Sequence, residues 1–141
     1  MFNNEQFTLN IWNERKLPKK LIIFKDIIID RKSKYTVVWW YVESYLEVWK
    51  FIKYLNKDKY FASSTHNSYA YRIKLENWII LEWKNDDWET WAWMCILREI
   101  QREYWVNMIL VVTRYFGWIK LQTDRFKNII DCCKIFFEKL L

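Results

Sequence analysis

Tyr35-Thr-Val-Val-Trp-Trp-Tyr-Val42, followed by Glu43 and then Ser44-Tyr-Leu-Glu-Val-Trp-Lys-Phe-Ile-Lys-Tyr-Leu55, is the stretch in which the chain changes period. Its first half is β-branched and aromatic and predicts a strand. From Ser44 the apolar residues Leu46, Trp49, Phe51, Ile52 and Leu55 recur at helical spacing. Ser44 with Glu47 three residues on marks where the helix starts, because a cap hydroxyl and an N3 carboxylate satisfy first-turn N–H groups that have no partner inside the helix. The helix is expected to end near Asn56. A strand that feeds a helix this quickly predicts a mixed α and β fold.

The same reading extends outward in both directions. Upstream, Leu21 to Ile29 is an apolar, β-branched run and predicts a strand, joined to the next by the polar turn Asp30-Arg-Lys-Ser-Lys34. Residues 1 to 20 are polar with scattered apolar positions and Pro18, and read as an extension ahead of a single domain over 21–141. Downstream, a loop around Ser63 to Asn67 precedes strands at Tyr69 to Leu75 and Ile79 to Glu82. An acidic loop over 84–89 then leads to a helix from Trp91 to Tyr104 with Thr90 as its candidate cap. Val106 to Thr113 predicts a strand, 114–123 a loop, and Asp124 to Leu140 a closing amphipathic helix. The order β-β-α-β-β-α-β-α is that of an α+β domain.

Composition excludes several classes. A hydrophobic share of 52% rules out a disordered chain, and no apolar run approaches the roughly 20 residues that span a bilayer. No secretory signal opens the chain, so a cytoplasmic domain is expected. Cys95, Cys132 and Cys133 lack the CxxC spacing of a zinc site and are expected as reduced thiols; neither a metal nor a cofactor is expected. Charge is uneven. Between residues 15 and 34, eight basic groups face Asp26 and Asp30, which accounts for the whole net charge of +6. The basic patch Lys19, Lys20, Lys32 and Lys34 suits an anionic partner such as RNA, and nothing signals DNA specificity. A solvated arm is the plainer account of the same charges.

Glycine usage is the anomaly. Ordinary usage would give about ten glycines in a chain of this length, yet there is one, Gly117, beside 11 tryptophans. Several of those tryptophans fall where a bare α-carbon is expected. Trp78 follows Asn77 between two strands, where an Asn-Gly hairpin belongs. Trp105 follows a helix, where glycine ends it.

Three segments together resemble the IMPACT family of translation-linked proteins, in the domain shared by eukaryotic IMPACT and bacterial YigZ-like members. They are Thr65-His-Asn-Ser-Tyr-Ala-Tyr-Arg-Ile73; Asn85-Asp-Asp-Trp-Glu-Thr-Trp-Ala-Trp-Met94; and Ile109-Leu-Val-Val-Thr-Arg-Tyr-Phe-Gly-Trp-Ile-Lys-Leu121, continuing into Thr123-Asp-Arg-Phe126. The family pattern reads THN-x-(Y/W)-AYRI, DDGET with a run of Gly and Ala, and VV(T/S)R(Y/W)(Y/F)GGI-x-L followed by DRF. Where the family has glycine or another small residue, this chain has Trp88, Trp91, Trp93 and Trp118. One reading unites these departures: the codon UGA has been written as tryptophan where the source organism reads it as glycine. An unusual Trp-rich binding surface is the alternative.

The resemblance implies a four-stranded, mostly antiparallel sheet with helices on one face, the fold shared by a ribosomal-protein domain and an elongation-factor domain. It implies regulation of translation through a protein or RNA partner, since eukaryotic members bind the activator of a translation-factor kinase. The second, ferredoxin-like domain of bacterial members is absent from this sequence. Residue by residue, the motifs nominate Thr65, His66, Asn67, Asp86, Asp87, Glu89, Arg114, Tyr115, Gly117 and Arg125 as a binding cluster. A Gly-Gly turn at 117 and 118, the helix start near Thr123 and the fork of Arg114 suit an anion. A metal-dependent hydrolase or phosphoryl-transfer enzyme with His66 as base and Asp86/Asp87 as metal ligands is the alternative. The plainer accounts are a hydrogen-bonded His66 capping the Thr65–Asn67 turn and a solvated acidic turn. Binding is the expected role.

Overall fold

A computed structural model describes residues 21–85 and 91–140 of the chain. The elements run β1 (Ile22–Asp30), β2 (Ser33–Tyr41), α1 (Tyr45–Lys57), α2 (Lys59–Ala62), β3 (His66–Lys74), β4 (Ile80–Asn85), α3 (Ala92–Arg102), β5 (Met108–Tyr115) and α4 (Asp124–Leu140). The five strands form one antiparallel sheet in the order β1-β2-β5-β3-β4. β1 and β2 are joined by Arg31 and Lys32, both at positive φ (47° and 69°), with Asp30 opposite Ser33. That is the two-residue turn whose twist matches a hairpin. At the outer edge, β1 is interrupted between Phe24 and Ile28, where Asp26 takes φ 52° and donates its N–H to Thr36 Oγ1.

Helix α1 begins as its cap chemistry dictates. Ser44 accepts from Glu47 N–H at 3.2 Å, while the Glu47 carboxylate accepts the Glu43 N–H. Val48, Phe51 and Leu55 face inward and, with Phe61 of α2, cover Val38, Tyr71, Ile73, Ile109 and Val111. On the other face, Ala92, Ile96 and Ile100 of α3 and Ile129, Cys132, Cys133, Phe136 and Phe137 of α4 cover Tyr35, Val37, Trp39, Ala70, Met108, Leu110 and Val112.

The α+β antiparallel class therefore holds, with two corrections to the expected arrangement. The sheet has the five strands that the pattern predicts rather than the four that the family resemblance implies, and helices line both faces rather than one. The cause of the double cover lies in β5, buried at every position from Met108 to Arg114, and in β2, buried from Tyr35 to Trp39. A strand with no polar face needs a cover on each side. Two local expectations also shift. His66 and Asn67 lie in β3 rather than in a loop. The left-handed residue that ends α3 is Tyr104 (φ 59°), not Trp105. Trp105 is buried, edge-on to Trp39 at 6.3 Å and stacked on Phe137 at 6.0 Å between ring centres. The expected cap Thr90 lies outside the described residues.

Candidate functional site

One end of the sheet gathers the β1–β2 turn, the start of β3, the segment 116–123 and the start of α4. Backbone approach holds it together. Gly117 packs against Lys32 so closely that a β-carbon there would overlap the Lys32 carbonyl group. The Gly117 N–H donates to Ser33 Oγ at 3.0 Å, and Ser33 is fully buried. From the other side, Thr65 donates its N–H to the Arg114 carbonyl (2.8 Å) and accepts the Phe116 N–H on its hydroxyl (2.9 Å).

Arg31 organises the charges. Its guanidinium pairs with Asp124 and with Asp30 (3.4 Å), and it also donates to the carbonyls of Lys120 (3.4 Å) and Leu121 (3.3 Å). The hydrogen bond to Asp124, foremost, holds the Arg31 pKa above its ordinary value. Asp30 and Asp124 are thereby both engaged by one arginine. Lys32, Lys34 and Lys120 stay exposed around it.

The nominated residues divide by what they touch. Asn67 is a bracket: its amide donates to the Phe61 carbonyl (3.2 Å) and its oxygen accepts from Thr113 Oγ1 (2.7 Å), tying α2 to the sheet. The Tyr115 hydroxyl donates to the Tyr60 carbonyl, and Tyr60 OH shares a 2.7 Å hydrogen bond with Thr36 Oγ1. Burial, and then the neighbouring Tyr60, push the Tyr115 pKa well above 10, which keeps it a donor. His66 and Arg114 face each other across β3 and β5 in register. His66 is half-buried, whereas Arg114 is 8% exposed and sets its guanidinium carbon 5.8 Å from the Phe116 ring centre. Arg125 donates to the Gln122 carbonyl at 2.8 Å and lies over Phe126. Thr65, Asn67, Tyr115 and Gly117 thus shape the corner, and Lys32 and Lys34 present its charge. Asp86, Asp87, Glu89, Lys19 and Lys20 lie outside the described residues, so the acidic part of the cluster and half of the basic patch are not brought into this geometry.

Sequence reasoning missed Arg31 and Lys120 as members of the corner. Arg31 stood in the basic run and Lys120 in the third motif, but nothing local in the chain couples residue 31 to residue 124.

Among the described residues no group of three or more His, Cys, Asp and Glu side chains is placed to hold a metal. The three cysteines are free, with Cys95 half-buried and Cys132 and Cys133 buried. Burial raises the pKa of all three, so they are held as thiols rather than nucleophilic thiolates. No helix among the described residues is long and apolar enough to cross a membrane.

Known proteins resemble the chain in sequence and in shape. Residues 31–136 match the Impact N-terminal domain family. Protein IMPACT-B of Xenopus tropicalis and Protein IMPACT of Danio rerio are each 36% identical over 132 residues, covering 93% of this chain and 41% of the relative. Human Protein IMPACT is 41% identical over 87 residues, 60% of this chain and 27% of that one. The chain spans about two fifths of the first two relatives it matches. A crystal structure of a hypothetical protein superposes with a TM-score of 0.73 at 16% identity, covering 84% of this chain and 57% of the other, a likeness of fold. A structure of Yih1, described as a two-domain translational regulator, superposes with a TM-score of 0.53 at 25% identity over 83% of this chain and 43% of that chain.

Proposed function

The chain belongs to the Impact N-terminal domain family, and from that premise we propose that it is a binding module in the regulation of translation whose basic corner contacts RNA. The regulatory part rests on the family and on the likeness to Yih1, a translational regulator. The RNA part rests on one observation: Arg31 engages Asp30 and Asp124 together, while Lys32, Lys34 and Lys120 stay exposed at the same corner. Lysines converging from two distant segments make a positive surface on a rigid backbone, and a polyanion is the partner such a surface attracts. Glu82 and Glu99, by contrast, are paired with Arg72 and Arg102 elsewhere in the fold.

Titration of the purified protein with ribosomal RNA across a salt series tests this reading. Affinity is expected to fall steeply with salt. Neutralising Lys32, Lys34 and Lys120 to Gln together is expected to weaken binding by about 10-fold or more and to flatten the salt slope by roughly 2. Binding that ignores both salt and the triple substitution sinks the RNA part. Capture of the protein by RNase-stripped ribosomal proteins with unchanged affinity points to a protein partner instead.

A further inference from the structure

We propose that residues 78, 91 and 118 are glycines in the protein as its own cell makes it, the tryptophans of the written sequence marking a codon that this cell reads as glycine. The backbone carries the inference. Trp78, Trp91 and Trp118 sit at φ 68°, 69° and 67°. That is the left-handed region, which crowds the β-carbon of any L-residue and which glycine enters without strain. Three of the nine described non-glycine residues at positive φ are tryptophans, against 11 tryptophans in 141 residues. Two of the remaining six, Asp26 and Asn107, belong to the types that tolerate this region.

Burial sharpens the contrast. Trp39 and Trp105 show where an indole belongs: both fill the core, and both do so at ordinary φ. Trp78, Trp91 and Trp118 are 65%, 56% and 88% exposed. They meet the strain of a bulky side chain without the burial that offsets it. Each also stands at a junction where glycine has a job. Trp78 closes the turn between β3 and β4, donating its N–H to the Leu75 carbonyl. Trp91 caps α3 with no side-chain hydrogen bond. Trp118 follows Gly117, whose own φ is not positive, so the close approach and the reversal of hand fall on successive residues. Trp93 and Trp105 take ordinary φ, and Trp88 lies outside the described residues; those three positions contribute nothing to this argument.

Two measurements test it. Mass spectrometry of the peptide between Arg114 and Lys120 from protein isolated from its source is expected to show glycine at 118; tryptophan there, or UGG codons at 78, 91 and 118, overturns the proposal. Independently of the source, recombinant protein carrying W78G, W91G and W118G together is expected to melt roughly 5 °C or more above the protein as written. The control W39G should melt lower, since it empties a filled core site. A triple-glycine protein that melts at or below the tryptophan form overturns the conformational argument.

Discussion

Gly117 is needed for space and its neighbour for hand, and the two demands separate experimentally. Gly117→Ala places a methyl group into the Lys32 backbone, which cannot swing aside as a side chain would. A loss of about 3 kcal/mol in urea unfolding is expected, at the upper end of ordinary overpacking costs. A loss under about 0.5 kcal/mol would show that the turn gives way. The sequence made this glycine legible as a special position but suggested that its N–H faced an anion. That N–H is engaged by Ser33 Oγ, a contact 84 residues back along the chain. The cysteines give a second test at this scale. Cys95 is half-buried while Cys132 and Cys133 are sealed between α4 and the sheet. In native protein at pH 8, an alkylating reagent should modify Cys95 first, and Cys132 and Cys133 only at the rate of unfolding; rapid labelling of all three contradicts the packing.

At the scale of elements, the start of α1 was legible to the residue. Ser44→Ala is expected to destabilise the protein by about 1 kcal/mol, the usual worth of an N-cap hydroxyl, as read by thermal or urea unfolding. Strands β1 to β5 and helices α1, α3 and α4 were each visible in the sequence pattern, β4 as its first half. The four-residue α2 was not, because Lys59-Tyr-Phe-Ala62 is too short to show a period, and its tie to the sheet comes from Asn67 of the following strand and from Thr36 and Tyr115 on remote ones. Cover on both faces was written in Met108 to Val112, an unbroken apolar run of the kind that marks a strand buried on each side. The family resemblance implied cover on one face only. Thr65 and Asn67 show the same limit at the site. The family motif marked them as special, yet their hydrogen bonds go to Phe116, Phe61 and Thr113, so they build the corner. Of the lysines exposed there, Lys32 and Lys34 were marked by charge alone, and Lys120 fills a variable position of the third motif.

For the molecule as a whole, the buried thiols fix how stability responds to alkali. The folded pKa values of Cys132 and Cys133 lie above the ordinary 9.0, chiefly through desolvation, and burial lifts Tyr71 to about 12. A group whose pKa rises on folding binds its proton more tightly in the native state, so its contribution is complete at neutral pH and is lost as pH climbs past the unfolded value. The urea midpoint is therefore expected to be flat near pH 7 and lower at pH 10, and C132A/C133A should shrink that difference; an unchanged midpoint refutes the burial of the pair. Sheet order has a consequence of another kind. β5 lies between the β1–β2 hairpin and the β3–β4 hairpin but follows both in the sequence. A nascent chain on the ribosome must carry two separate hairpins with bare oily flanks until Met108 to Tyr115 clears the exit tunnel. Synthesis through β5 is what joins the two hairpins into one sheet, and α4, made after it, closes the second face. A stall before β5 is therefore expected to leave exposed apolar surface of the kind that chaperones hold.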